Sequence, residues 1–139
     1  MPPFFMAITV TKPFKEFVDI SLAFSPHPLT GDITVLRDYR AINASLKNCI
    51  MIAVEEKPFN TTFGSQILQL MFEMVDGSTA SMLEEEITRS ISYNEPRVNL
   101  EDVMVQPKPE QNEFKIEIKY LIVGYEEVLS FTHILTQTR

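Results

Sequence analysis

The chain has 139 residues, about the size of one ordinary domain. Its 45% hydrophobic and 22% charged residues are typical of a globular fold and exclude a disordered chain. Twelve Lys and Arg against 19 Asp and Glu give a formal net charge of −7, which repels phosphate at long range, so we expect no nucleic-acid partner. The longest apolar run, Cys49–Val54, is far too short to cross a membrane, so we expect no membrane partner either.

The chain contains a single cysteine, Cys49, which excludes an intramolecular disulfide and a cysteine-based zinc site. Because Cys49 opens the apolar run, we predict a buried structural thiol in a reducing compartment.

The first part of the chain divides into an arm and a strand. Residues 1–17 contain three prolines and no clear period, so we predict an N-terminal arm that orders only on a partner. A single domain is predicted over residues 18–139. Strict alternation predicts a strand that buries Val18, Ile20, Leu22 and Phe24 on one face and ends at the turn-forming segment Ser25–Asp32.

Three helices are predicted next. Asp38 can cap the first, which ends before Pro58 and carries an apolar stripe at spacings of three and four: Tyr39, Ile42, Leu46, Cys49 or Ile50, and Ala53. The second spans Ser65–Glu73 after a possible cap at Asn60–Thr62, and its nearly all-round apolar surface predicts burial between two layers.

The third helix begins at Ser78 as its N-cap and ends before Pro96. Its apolar stripe consists of Ala80, Leu83, Ile87 and Ile91. The acidic run Glu84–Glu86 is expected to form a solvent-exposed face of this helix.

The remainder of the chain alternates with period two. We predict a strand from Val98 to Val105 with an irregular step near Asp102, a loop over Pro107–Asn112, a strand over Phe114–Ile122, and a turn over Gly124–Glu127. The last strand places Leu129, Phe131 and Leu135 on one side. The predicted fold is α+β, with three helices packed on one face of a small antiparallel sheet that is a C-terminal β-meander.

Residues that could carry chemistry are few. His27 and His133 are far apart and have no carboxylate at a metal-ligand spacing, and the four glycines form no phosphate-binding loop. We therefore expect no metal site and no cofactor. Glu95 with Glu101 or Asp102 could form a glycosidase pair, but a chain without tryptophan lacks the aromatic platform that such a site would use. We expect these carboxylates to be solvated or ion-paired, and no enzyme activity.

Four segments, in order along the chain, together resemble one protein family. They are Ser25–Ile33, which contains Pro-His-Pro; Ala41–Asn48, with the pattern Ile-x-x-Ser-Leu-Lys-Asn; Glu56–Ser65, with Lys-Pro-Phe and Phe-Gly-Ser; and Tyr93–Val98, with Glu-Pro-Arg. They resemble the short baseplate wedge proteins of contractile-tailed phages, a family related to a type VI secretion baseplate subunit. The pattern departs from the family in two segments: Thr61 stands where proline is common and Lys57 where arginine is common, and Asn94 separates Tyr93 from Glu95.

The resemblance implies a partner set and two binding regions. Six copies would surround the central hub or tube proteins, and each would join longer wedge proteins through a helical core bundle. The resemblance also implies a β-rich half like the interlocking domain of the tail sheath protein, which begins the sheath by strand exchange. The residues implied to bind partners are Leu83, Ile87, Ile91, Tyr93, Glu95, Pro96 and Arg97 on the wedge side and Leu129, Phe131 and Ile134 in the last strand.

Arg97 has two open interpretations at this point: a fork to a carboxylate across an interface, or an internal pair with Glu95 or Glu101. The function also has alternatives, namely a muramidase-like tail lysozyme and a small regulatory binding module of the same fold. The resemblance favours a structural subunit in the virion tail baseplate, assembled in the host cytoplasm, and favours a phage over a secretion machine.

Overall fold

A computed structural model describes residues 16–21 and 23–137. Within these ranges the elements run β1 (Val18–Ile20), β2 (Val35–Arg37), α1 (Tyr39–Met51), α2 (Ile67–Leu70), α3 (Gly77–Asn94), β3 (Val98–Lys108), β4 (Glu113–Ile122) and β5 (Val128–Thr136). The predicted α+β class is confirmed: helices pack on an antiparallel meander. No helix in the described ranges is long and apolar enough to cross a bilayer.

The meander has the strand order β3-β4-β5, and both pairs are antiparallel. Its central strand alternates as predicted, because five residues that point to one face are at most 2% exposed: Phe114, Ile116, Ile118, Tyr120 and Ile122. The register of β3 on β4 shifts between Leu100 and Asp102, which confirms the predicted irregular step and leaves Glu101 as the extra residue of a bulge.

The helices cover this apolar face of the sheet. Ile42, Leu46 and Ile50 of α1 are fully buried in the same core as β4. The Tyr120 hydroxyl donates a 2.5 Å hydrogen bond to Oδ1 of Asn43, and burial raises the pKa of Tyr120 to about 12. Cys49 is buried, as predicted, and burial raises the pKa of its thiol to about 11.

The N-terminal strand differs from the prediction in length and in orientation. β1 covers three residues and pairs with β2, a strand that the sequence analysis did not predict. Val18 and Ile20 are 50% and 58% exposed, while Asp19 turns inward, so the predicted buried face is wrong. Alternation fixes which residues share a face, but the side that turns inward depends on what the strand packs against. Phe24 is also exposed, and Leu22 lies outside the described residues.

Most of the predicted N-terminal arm, residues 1–15, lies outside the described residues. Phe17 is described and packs against the core, and its carbonyl accepts a 2.8 Å hydrogen bond from the Asp38 amide. The described fold therefore begins two residues before the predicted domain boundary.

The second helix is much shorter than predicted. Its N-cap is Gln66, not a residue of Asn60–Thr62, and only Ile67 of the helix is fully buried. Phe72 follows in a turn and is 87% exposed, so the prediction of burial on every side is wrong. One helical turn presents few residues to the core: Leu70 and Met71 pack against it while remaining partly exposed, and Phe72 stays at the surface.

The C-terminal end of α1 is held by two buried serines. The Ser90 hydroxyl lies 3.1 Å from the Cys49 carbonyl, and the Ser65 hydroxyl donates to the Ile50 carbonyl at 3.0 Å. These carbonyls belong to the last helical turn, where no intrahelical donor is available. Gly64 has φ +121°, and a Cβ there would lie 2.6 Å from the Ile52 carbonyl oxygen, so glycine is required at this approach.

Two further predictions concern helix starts, and one of them needs correction. Asp38 is the N-cap residue of α1, as predicted, and its backbone carbonyl accepts from the Ile42 amide at 3.1 Å. Its side chain makes no cap hydrogen bond and instead accepts from the Tyr125 hydroxyl at 3.5 Å. The N-cap of α3 is Asp76 and not Ser78, because the Asp76 carboxylate accepts from the Thr79 amide at 2.8 Å. This hydrogen bond lowers the pKa of Asp76.

We predict that Asp76→Ala lowers the Tm of the protein by about 3 °C, because the first turn of α3 loses its side-chain acceptor. Ser78→Ala is the matched control and should change the Tm by less than about 1 °C. Circular dichroism melting of both variants measures the difference. Equal losses in the two variants would contradict Asp76 as the cap.

Candidate partner-binding surfaces

The Glu-Pro-Arg segment after α3 forms a buried ion pair. Glu95 is 2% exposed, and both of its carboxylate oxygens accept from the Arg97 guanidinium, from Nε and Nη2, each at 2.7 Å. The Ser45 hydroxyl of α1 donates to the same carboxylate. Burial acts to raise the pKa of Glu95, but the hydrogen bonds from Arg97 and Ser45 outweigh it and lower the pKa overall.

Arg97 also contacts the N-terminal ribbon, which is formed by β1 and β2. Its Nη2 donates to Oδ2 of Asp19 at 3.2 Å, and its guanidinium lies 5.6 Å from the centre of the Phe17 ring. Of the two interpretations of Arg97, the structure therefore shows the internal pair, with Glu95 and Asp19 as partners. The carboxylates raise the pKa of Arg97, which stays charged. Its Nε, Nη1 and Nη2 atoms all donate to these two carboxylates within the domain.

The apolar stripe of α3 lies in the core. Leu83, Ile87 and Ile91 are fully buried against the sheet, so the expectation that they face a partner is corrected. An amphipathic stripe gives no indication of whether its cover comes from the same chain or from another one. Tyr93, by contrast, is 73% exposed, and Pro96 is also exposed. These two residues are the part of the predicted wedge surface that a partner can reach.

The three predicted residues of β5 lie on two faces of the sheet. Leu129 and Phe131 are half-buried and pack against the core. They share this face of the strand with Leu135, as predicted. Ile134 points to the opposite face and is 49% exposed. The backbone of β5 pairs with β4 on one side, and no group within the described residues bonds its other side. β5 is therefore an open edge strand.

The other edge of the sheet is partly covered. α3 packs on β3, and the Glu84 carboxylate accepts from the Val105 amide at 2.8 Å. Glu86 accepts from the Gln66 amide at 2.8 Å and from Arg89 at 2.7 Å. Two of the three acidic residues thus connect α3 to its neighbours, and only Glu85 remains on the exposed face that was predicted for all three.

An apolar groove of about 610 Å³ lies beside the open edge, between β5 and the ends of α1 and α2. Its lining includes Lys47, Met51, Leu68, Met71, Phe72 and His133. Burial lowers the pKa of His133, and the nearby Lys47 charge lowers it further. The sequence analysis did not predict this groove, because α2, which forms one wall, was predicted to be buried between two layers.

A second, acidic groove of about 660 Å³ lies between α3 and the bulge of β3, and its walls include Glu84, Glu85, Glu101 and Asp102. The residues that line it include no aromatic side chain. Within the described ranges, no group of His, Cys, Asp and Glu side chains is placed to hold a metal ion.

We predict that Glu95→Gln lowers the free energy of unfolding by about 2 kcal/mol at pH 7, because Arg97 loses its charged partner in a buried setting. The folded-state pKa of Glu95 is lowered, so its contribution is present above the ordinary glutamate pKa of about 4.3 and is lost as the pH falls. The wild type and the variant should therefore converge as the pH falls from 7 through the lowered folded-state pKa of Glu95. Urea unfolding across this range measures the convergence. Glu101→Gln, at the exposed bulge, should stay within about 0.5 kcal/mol of the wild type throughout.

Solved structures share this fold. A candidate tail lysozyme from Geobacter sulfurreducens aligns with a TM-score of 0.64 and 20% identity over 70% of this chain and 89% of that chain. A chain of the anti-feeding prophage baseplate, in a six-fold symmetrised structure, aligns with a TM-score of 0.61 and 18% identity over 89% and 88%. A chain of the post-contraction pyocin R2 baseplate aligns with a TM-score of 0.51 and 15% identity over 84% and 97%. At these identities the likeness establishes the fold.

A search of curated proteins found no match. A family model described as baseplate wedge protein gp25 matches residues 37–126, which is more than half of the chain. The matched range runs from the end of β2 to the turn before β5, so it includes the Glu95–Arg97 ion pair, all three described helices and the first two strands of the meander. The chain belongs to the gp25 family of baseplate wedge proteins, the structural subunits of contractile tails.

Proposed function

We propose that this chain is a wedge subunit that joins longer wedge proteins through one surface, starts or anchors the tail sheath through another, and catalyses no reaction. The observation that carries the proposal is the family match over residues 37–126 in a chain whose last strand leaves its backbone edge open. The solved relatives from the anti-feeding prophage and pyocin R2 baseplates support the setting in a contractile tail.

The proposed sheath surface is the outer edge of β5. An extended segment of the sheath protein would add beside β5 and use the unpaired backbone groups of Val128–Thr136. Because backbone groups supply most of such an interaction, a sheath segment can bind without a close match in side chains. The proposed wedge surface is the exposed end of α3, where Tyr93 and Pro96 would meet the helical core bundle of the longer wedge proteins.

The assembly we propose has six copies around the central hub or tube proteins, in the virion tail baseplate, put together in the host cytoplasm. Support for the copy number comes from the relative in the six-fold symmetrised anti-feeding prophage baseplate. The Pro-His-Pro segment, which resembles the phage members of the family, favours a phage over a secretion machine.

One relative, the candidate tail lysozyme, suggests a muramidase as the alternative function. A glycosidase needs a carboxylic acid with a raised pKa beside a second carboxylate. Glu95 has a lowered pKa and is held by Arg97 and Ser45, so it is unsuited to donate a proton. The acidic groove offers carboxylates but no aromatic side chain among the residues that line it. The chemistry of the chain therefore favours the structural subunit over the enzyme.

We predict that Thr132→Lys slows sheath initiation by about tenfold, because a lysine on an edge strand opposes the addition of another strand. Thr132 is exposed and lies opposite Glu117 of β4, so the new lysine gains a cross-strand partner and the fold is preserved. The measurement is sheath polymerisation on purified baseplates, followed by light scattering and electron microscopy.

Met104→Lys provides the matched control for this experiment. Met104 lies on β3 opposite the same Glu117 and is 43% exposed, so a lysine at this position adds the same charge at the other edge of the sheet. Sheath initiation should be unchanged in this variant. Equal sheath growth in both variants and the wild type would remove the strand-exchange proposal.

We predict that Tyr93→Ser reduces the affinity for the longer wedge proteins by about tenfold, since exposed tyrosines at interfaces often carry much of the binding free energy. Co-expression followed by size exclusion with mass determination measures the wedge complex. Phe59→Ser removes an even more exposed aromatic side chain from the loop after α1 and should leave the complex intact. A normal yield with Tyr93→Ser would move the wedge interface away from the end of α3.

A further inference from the structure

The apolar groove is continuous with the open edge of β5. His133 and Leu135 point from β5 toward the helices and line the groove, and Thr136 and Gln137 continue its wall along the chain. A strand added beside β5 would turn every second side chain to this same face of the sheet. Those side chains would therefore lie over the groove, while the intervening ones would face outward beside Ser130 and Thr132.

The opposite wall of the groove is apolar and adaptable. Leu68 and Met71 lie on or just after α2, Met51 ends α1, and Phe72 is 87% exposed. Methionine side chains adjust to differently shaped partners, and covering an exposed phenylalanine with an apolar side chain stabilises the complex. This wall fits a row of apolar side chains at alternate positions of an extended segment.

The charge of the groove is opposite to that of the chain. The chain carries 19 acidic residues against 12 basic ones. The residues that line the groove nevertheless include Lys47 and His133 and no Asp or Glu. Lys47 is exposed at the rim, close enough for its charge to act on His133. A carboxylate on the partner would meet a cation here and no acid of the lining itself. Glu113, which is not part of the lining, accepts from the Thr136 hydroxyl at 3.3 Å.

We propose that the β5 groove selects an extended protein segment that has apolar side chains at alternate positions and a carboxylate at one inward position, beside Lys47 and His133. This inference rests on the proposed strand exchange at β5 and specifies the chemistry of the exchanged strand. The open backbone edge supplies general affinity, the apolar wall sets the register, and Lys47 distinguishes an acidic partner strand from a basic one.

The test uses the full chain and labelled synthetic peptides of nine residues, the length of β5. Each peptide has valine at alternate positions and threonine between them, a polar tail that keeps it monomeric, and either glutamate or lysine in place of one inward valine. Fluorescence anisotropy measures the affinity. The wild type should bind the best glutamate peptide about fivefold more tightly than the corresponding lysine peptide.

Two variants show where the preference arises. Lys47→Glu should reverse the preference, whereas Arg40→Glu, which makes the same charge change on the exposed surface of the same helix, should leave it unchanged. Phe72→Ser should lower the affinity for every peptide several-fold, because the substitution removes part of the apolar wall and leaves the core unchanged.

Several results would overturn the inference. Equal affinities for glutamate and lysine peptides, or peptides that bind equally to Phe72→Ser and the wild type, would remove the groove from the interaction. If no peptide binds the wild type, the inference fails, while sheath growth on Thr132→Lys baseplates still decides the strand exchange independently. Dimers of the free chain that dissociate with Phe72→Ser, seen by sedimentation, would assign the groove to a second copy of this chain and also overturn the inference.

Discussion

The buried pair between Glu95 and Arg97 is the interaction on which the arrangement of the described fold depends. A carboxylate that is 2% exposed has to be paired, because an unpaired charge at that depth costs several kcal/mol. Its partners come from three parts of the chain: Ser45 from α1, Arg97 from the start of β3, and, through Arg97, Asp19 from β1. A two-stranded ribbon is at best marginally stable alone, so this contact helps to position β1 and β2, together with the packing of Phe17 on the core and the contacts with α1.

The two edges of the meander are treated differently. Along β3, α3 packs closely and Glu84 uses its carboxylate on a backbone amide of that strand. Along β5, no group of the described chain pairs with the outer backbone. Open edges invite unwanted pairing, and proteins commonly protect them with charge or cover. An edge that remains open beside an apolar groove is consistent with a strand that binds another chain.

The sequence predicted the elements whose pattern is decided locally, and it failed where distant contacts decide. The alternation of Phe114–Ile122 and the bulge near Asp102 were predicted correctly. In a strand with one buried face, the period-two pattern determines which side chains point inward, and a break in that pattern marks the bulge. The orientation of β1 was wrong because it depends on Arg97, 78 residues away from Asp19 in the chain. The site prediction had the same strength and weakness: exposure of Tyr93 agrees with a partner role, whereas Leu83 proved to be core.

A sheet with one partly covered edge and one open edge accepts a new strand more readily at the open edge. This asymmetry suits the proposed role in starting the sheath, because open edges on both sides would allow copies of the chain to pair with one another through either edge. The covered edge at β3 and the ion pair at Glu95 lie on the side of the domain held by α3, away from β5. The strand that would bind the sheath can therefore gain a neighbour without disturbing the contacts that hold the ribbon, the helices and the proposed wedge surface in place.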